Sequence, residues 1–426
     1  MSLLKDKLAQ ILPAQAEDIK NFVKENSEKV IGEINIGQAF GGMRGIQGLV
    51  CDTSEVPADK GLIIRGIPIS ELTSKLPEEI FFLLLTGSLP TAIELADLQA
   101  DLKTREEVPA YVWSVLDAMP ADSHPMAMFN TAILIMQRES VFAAKYSEGI
   151  KKNQYWEYYL EDGLNIVAKV PAIAAYIYRK KYADGKRIES DKNADWGKNY
   201  VHMLGLGDPN GEFSDVMKLY LTCLSDHEGG NVSSFSAYTI SSALSDLYYT
   251  VSGGLNGLAG PLHGLAVQEC LKWVLELMEK FGGNVPSLEE LEKFTWDTLN
   301  SGQVIPGYGH AVLRVTDPRF TAFLEAGKKY CSDDKVWQTV DRVFEVVPKV
   351  LQTISKINNP WPNVDASSGV LFYHYGLKEF DYYTVIFSVS RTLGIAAQNI
   401  VARAYGMPLT RPKSMPTAKF KKIAGV

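Results

Sequence analysis

Cysteine is scarce and scattered: Cys51, Cys223, Cys270 and Cys331 are the only four, with no CxxC pair and no Cys/His spacing of a metal site. Neither a disulfide framework nor a zinc centre is therefore indicated, and a reducing compartment fits. Histidine is nearly as rare, with six in 426 residues. No two of them stand at i, i+4, and HExxH is absent because His227 is followed by EGGN, which leaves the set of metal ligands empty. A nucleophile elbow GxSxG, a Walker loop and a strand-borne GxGxxG are also missing, so serine-hydrolase, P-loop and dinucleotide chemistries have no carrier. No apolar run approaches the ~20 residues that span a bilayer. The first thirty residues contain no Arg and mix Lys with Asp and Glu, unlike a secretory signal or an Arg-rich, acid-poor transit peptide. A cytoplasmic location is expected.

What remains is an ordinary globular composition, 46% hydrophobic and 22% charged, with a formal net charge of -7. Such a balance gives no general attraction to nucleic acid or anionic membrane. The exception is Arg411 to Val426, where Arg411, Lys413, Lys419, Lys421 and Lys422 stand without an acid and read as a solvated tail.

Helical periodicity dominates the chain. Pro77 opens EEIFFLLLTG, which stops at Gly87 and Pro90, and Leu95, Leu98 and Leu102 share a face. Ser214 is placed as the N-cap of a helix striped by Val216, Leu219, Tyr220, Cys223 and Leu224. A further helix is expected from near Pro261, carrying Ala266, Cys270, Val274 and Leu277. Ser287 and Glu290 form a capping box, Val336 to Val350 traces another stripe, and Tyr383 to Tyr405 reads as a long apolar helix for the interior of a bundle or a subunit interface. Strand signals are confined to GEINIGQAF and KGLIIRGIPI. The fold class is all-α with a minor β element near the N-terminus, and Ala183 to Asn199 is a polar surface excursion.

Three histidines sit at breaks beside glycine. His227, in SDHEGGN, falls on the inward face at a helix's last turn; it is either held by the helix dipole or the core, or it is a site residue. His263, in GLAGPLHGLA, falls in the first turn of the helix after Pro261, where the dipole keeps imidazole neutral and fit to donate to a carbonyl; a structural role is the plain alternative. His310 belongs to PGYGHAVLRVTDPR, where glycine permits close backbone approach and Arg314 and Arg319 offer planar forks for carboxylates or phosphates. Asp365, in NPWPNVDASSGV, is either an N-cap or a rigid general base. Arg391 lies inside the apolar run TVIFSVSRTLGIAAQ and needs a partner there. The set suits proton transfer beside a carbonyl on a substrate bearing several carboxylates.

Six ordered segments, SDHEGGNVS, GLAGPLHGLA, VIPGYGHAVLRVTDPR, NPWPNVDASSGV, VSRTLG and RPKSM, together with GGMRGIQGLV near the start, resemble the citrate synthase family along essentially the whole chain, and most the dimeric type of mitochondria and some bacteria. The resemblance implies a large helical domain of residues 1–265 and 378–426 and a small helical domain of 266–377, with the active site in the cleft and completed by a second subunit. It implies condensation of acetyl-CoA with oxaloacetate and water to give citrate and CoA, the opening step of the tricarboxylic acid cycle, with 2-methylcitrate synthesis from propionyl-CoA as the rival and a non-catalytic helical scaffold as the reading from another class. By matching motif positions, Asp365 is the base, His263 the donor to the thioester oxygen and His310 the donor to the ketone. Oxaloacetate is held by His227, His310, Arg319, Arg391 and Arg411 of the partner subunit. CoA falls to Arg44, Lys152, the backbone Val304, Ile305, Pro306, Gly307, Tyr308 and Gly309, then Arg314, Lys356 and Asn358. Acetyl-CoA is a substrate, and no cofactor or metal is implied. A homodimer in a bacterial cytoplasm is expected, or in the mitochondrial matrix for a mature eukaryotic form.

Overall fold

The computed structural model describes residues 2–309, 312–357 and 359–426. Helices account for nearly all of its regular structure, from Leu3–Asn26 to Thr417–Ala424. The axis of the core is Phe380–Ala404, on which every residue from Tyr382 to Arg403 is buried. By length and composition this helix could cross a membrane, which the absence of a long unbroken apolar run had not suggested. Its most apolar stretch is instead wholly enclosed by protein. It packs along Tyr155–Tyr182 and against Pro77–Thr86, Val232–Ser242 and Leu247–Leu258, so its apolar circumference is used on all sides.

A second group of helices interlocks through its own faces: Ala266–Lys280 and Pro318–Tyr330 against Asp365–His374, and Leu288–Asn300 against Lys335–Gln352. The valine stripe explains the last of these, since Val340, Val343, Val347 and Val350 are all buried. The Ser287/Glu290 capping box forms as expected.

The β element is a three-stranded antiparallel sheet of Ser54–Glu55, Ile63–Ile64 and Ile67–Pro68. Arg65 and Gly66 close its second hairpin with φ of 48° and 82°, the paired positive φ of a type I′ turn. Arg65 is steadied in that unusual conformation by its Nε donating to Leu84 O at 2.9 Å.

Four local expectations are corrected. GEINIGQAF is not a strand: Asn35 and Gln38 form a capping box and start the single helical turn Ile36–Phe40. Ser214 lies inside Glu212–Cys223, whose N-cap is Gly211; Asp208 reaches in from outside to accept the Phe213 and Ser214 N–H groups at 3.0 and 3.1 Å. The helix expected from Pro261 begins only at Ala266. Residues 260–264 are spent on a turn in which His263 N and Gly264 N both donate to Gly260 O. Finally, His227 is not on a helix, because Glu212–Cys223 ends four residues earlier.

Candidate active site

The loop after Cys223 is fastened by the carboxylate of Asp226, wholly buried. The Thr53 and Ser54 hydroxyls donate to it at 2.6 and 2.8 Å, and Gln398 Nε2 donates at 2.6 Å. The small sheet and the core helix thus grip the residue next to His227. Ser54 Oγ also accepts the Glu228 N–H at 2.7 Å, while Glu228 itself is held at φ 53°. Gly394 lets the core helix come this close: a Cβ there would stand 2.3 Å from Ser225 O, a distance no side chain tolerates.

His263 lies beside this loop. The Ser233 N–H donates to His263 Nε2 at 3.2 Å, and Ser233 Oγ is 3.0 Å from the same nitrogen. A ring nitrogen that accepts a backbone N–H carries no proton, so the ring's proton is on Nδ1. Burial, reinforced by the Arg391 charge, lowers the His263 pKa to about 4. The expected neutrality is present, but its cause is desolvation and a neighbouring cation rather than the dipole of a helix that has not yet begun.

Arg391 finds its partners at the loop and the next helix. Its Nε donates to Leu224 O at 3.2 Å, and its Nη1 donates to Asn231 Oδ1 and Ser233 Oγ, both at 3.1 Å. Burial brings its pKa down to about 10, against the pull of Asp226. Arg319 is held differently. It forks onto Asp317, with Nε at 3.1 and 3.2 Å from the two carboxylate oxygens and Nη2 at 2.7 Å from Oδ2. Asp317 also caps its helix by accepting the Arg319 N–H at 2.9 Å. Burial opposes the charge on Arg319, and the Asp317 carboxylate outweighs it, so the pKa is raised.

Asp365 is the first residue of Asp365–His374, positioned by Asn363 Oδ1, which accepts its N–H at 3.0 Å. Burial pushes its carboxyl up to about 6; Arg319 and Arg391 pull the other way and Asp317 adds to the rise. Arg391 thus lies within electrostatic reach of His263, Arg319 and Asp365, and Arg319 within reach of Asp365. The glycine-rich segment runs beside them. Gly309 N donates to Trp361 O, and Asn363 N donates to Gly307 O, while Tyr308 bridges Pro362. Gly307, at φ 77°, sits where a Cβ would be 2.6 Å from Cys270 Sγ and 2.9 Å from Ala366 Cβ. Its bareness is what lets this strand-like segment lie on the start of the Asp365 helix.

Of the other candidates, Arg44, Lys152, Arg314, Lys356 and Arg411 are exposed. None of them perturbs Asp365 or His263. Val304 is exposed, whereas Ile305 turns into the core; Pro306 is half-buried. His310 and Asn358 lie outside the described residues. Sequence reading missed Asp226, Ser233, Asn231 and Asp317 as supporting groups. DPR at Asp317 carries the signature of an N-cap followed by Pro at the first helical position, but nothing in it says that the same Asp will clasp an arginine.

Residues 42–413 match the citrate synthase C-terminal domain family. The chain belongs to the citrate synthase family. It is 48% identical to the mitochondrial citrate synthase of Saccharomyces cerevisiae over 99% of this chain and 89% of that one. It is 46% identical to the mitochondrial 2-methylcitrate synthase of Yarrowia lipolytica, over 99% and 93%. The crystal structure of the citrate synthase from Pyrobaculum aerophilum superposes with a TM-score of 0.78 at 26% identity, covering 91% of this chain and 95% of that chain. This is an enzyme of the citrate synthase type of acyltransferase with the all-helical fold of that family.

Proposed function

We propose that the chain condenses acetyl-CoA with oxaloacetate and water to give citrate and CoA. The observation that carries this is that Arg391 acts on both a neutral His263, its Nε2 filled by the Ser233 N–H, and an Asp365 carboxyl lifted to about 6 by burial. A thioester α-proton is weakly acidic, so a carboxylate removes it only if a hydrogen-bond donor takes up the charge on oxygen in the same step. Asp365 abstracts the methyl proton and His263 Nδ1–H donates to the thioester oxygen. The enolate carbon attacks the ketone carbon of oxaloacetate, His310 protonates the resulting alkoxide, and water cleaves the citryl thioester to release CoA. His227, Arg319 and Arg391, with Arg411 of the partner subunit, hold the two carboxylates, for which forked arginines fix orientation as well as charge.

In this reading, residues 266–377 form the small domain that closes over 1–265 and 378–426 and excludes water. CoA lies along Val304 to Gly309, with Arg44, Lys152, Arg314, Lys356 and Asn358 toward its phosphates. Acetyl-CoA is a substrate, and no resident cofactor or metal takes part. A homodimer is supported by exposed apolar side chains on both chain termini, including Val30, Ile31, Phe40 and Leu409. The terminal segments also meet, Phe40 and Phe420 stacking edge-on at 5.2 Å. For location, the bacterial cytoplasm and the mitochondrial matrix both suit four unpaired thiols.

The Yarrowia lipolytica relative keeps propionyl-CoA as the competing substrate. Parallel kinetics with acetyl-CoA and propionyl-CoA against oxaloacetate decide between them: kcat/KM higher for acetyl-CoA is expected, and a strong preference for propionyl-CoA would replace this reading with 2-methylcitrate synthesis.

A further inference from the structure

Away from the condensation site, a cavity of ≈490 Å³ opens among Pro77–Thr86, Ala92–Arg105, Tyr155–Tyr182 and Trp196–Leu204, under the polar segment 187–195. Its size is that of a small-molecule site. None of the residues assigned to the reaction lines it.

Glu78, on the first turn of Pro77–Thr86, is 2% exposed and lines this cavity. Its Oε1 is satisfied by the Trp196 N–H at 2.9 Å and Gln99 Nε2 at 3.2 Å. Its Oε2 is buried with no hydrogen-bond partner. A buried carboxylate oxygen left open is costly. The surrounding charge does not balance it: five carboxylate side chains line the space against three cations. Two of those cations are engaged, Lys192 with Glu106 and Arg187 at 4.8 Å from the centre of the Trp113 ring. Part of the uncharged wall is apolar, with Leu102, Ala172 and Pro171 among it. The roof is fixed, since Ser190 Oγ donates to Glu106 Oε1 at 2.7 Å and Asp191 N to Asn199 Oδ1 at 2.9 Å.

We infer that this cavity binds a small organic cation, an amine, amidine or guanidine on an apolar body, whose N–H groups take Glu78 Oε2 and whose body packs on the Leu102 and Pro171 wall. Burial also raises the Glu78 carboxyl above its ordinary range, and a cation beside it supplies the missing counter-charge.

Benzamidine is the probe, titrated calorimetrically into the full-length protein with neutral benzamide as the control. Saturable binding of benzamidine at least tenfold tighter than benzamide is expected. Glu78→Gln should weaken it at least tenfold while leaving condensation kinetics unchanged, and Ala172→Phe, which fills the cavity from its apolar wall, should abolish it. Circular dichroism establishes that each variant is folded. No saturable binding to the wild-type protein, benzamide binding equally well, or benzamidine affinity unchanged in folded Ala172→Phe overturns the inference.

Discussion

Asp317 clasps the guanidinium of Arg319 with three contacts of 2.7 to 3.2 Å while the same carboxylate caps the helix that carries Arg319. One acid therefore sets where the arginine stands, how it is oriented and how much of its charge reaches Asp365. Asp317→Asn removes a negative charge that raises the Asp365 pKa and releases more of the Arg319 charge to lower it. The acid limb of the kcat/KM profile should move to lower pH, and the broken buried pair should cost about 3–5 kcal/mol in a denaturant titration. A limb that stays in place or moves upward would contradict the coupling.

The wild-type profile itself is predicted. His263, at about 4, stays neutral across the working range, so the limb at low pH belongs to Asp365. Activity should rise with pH through about 6 as the base ionises, then level off. An apparent pKa near 4 in kcat/KM would mean that the base is not buried as described.

Stability should run the other way. The folded pKa of Asp365, about 6, lies above its ordinary 3.8. Between these values the folded protein binds a proton that the unfolded chain has lost, so stability falls as pH rises through the window and the penalty is complete above it. Asp365→Asn removes the penalty. It should abolish condensation, retain oxaloacetate binding, and stabilise the protein at pH 7.5 by on the order of 3 kcal/mol, with the difference disappearing below pH 4. Urea unfolding across pH and calorimetric titration with oxaloacetate measure both; loss of ligand binding together with activity would argue against the base assignment.

Gly307→Ala tests the approach of the glycine-rich segment to the helix Asp365–His374. The new Cβ meets Cys270 Sγ at 2.6 Å and Ala366 at 2.9 Å, at a φ of 77°. A destabilisation of about 1–3 kcal/mol is expected from overpacking and strain, with a larger loss of kcat. Adding Cys270→Ala should recover part of it, as a double-mutant cycle would register.

The proposed sharing of active sites between two subunits is tested by complementation. Arg411→Ala and Asp365→Ala are each expected to be inactive as homodimers. Denatured together and refolded, they should regain about a quarter of wild-type activity, because half of the dimers are mixed and each mixed dimer has one intact site. No recovery, with mixed dimers present by mass, would place Arg411 outside the partner's site.

Much of this was legible in the one-dimensional pattern. The all-helical class followed from apolar spacing, which acts over a few turns, and the Val336 to Val350 stripe and Ser287 cap fell where local rules put them. His263 and Asp365 stood out because glycine and proline surround them in segments that regular helix would reject. The local reasons failed where a distant group intervened. His263 was placed on a helix whose dipole would hold it neutral, whereas it sits in a turn closed on Gly260, and burial together with the Arg391 charge keeps it neutral. Asp226 carried no signal, since its partners Thr53, Ser54 and Gln398 are more than 170 positions away.

The sequence alone determined which residues can form helices and which segments are too costly in glycine and proline to be mere helix, because those preferences arise within a few neighbouring residues. Only the tertiary structure decided that Arg391 lies beside His263, that Asp317 occupies Arg319, and that Glu78 faces a cavity with an unfilled oxygen. Burial and charge are properties of surroundings, and the surroundings of these residues are assembled from parts of the chain that are not neighbours until it folds.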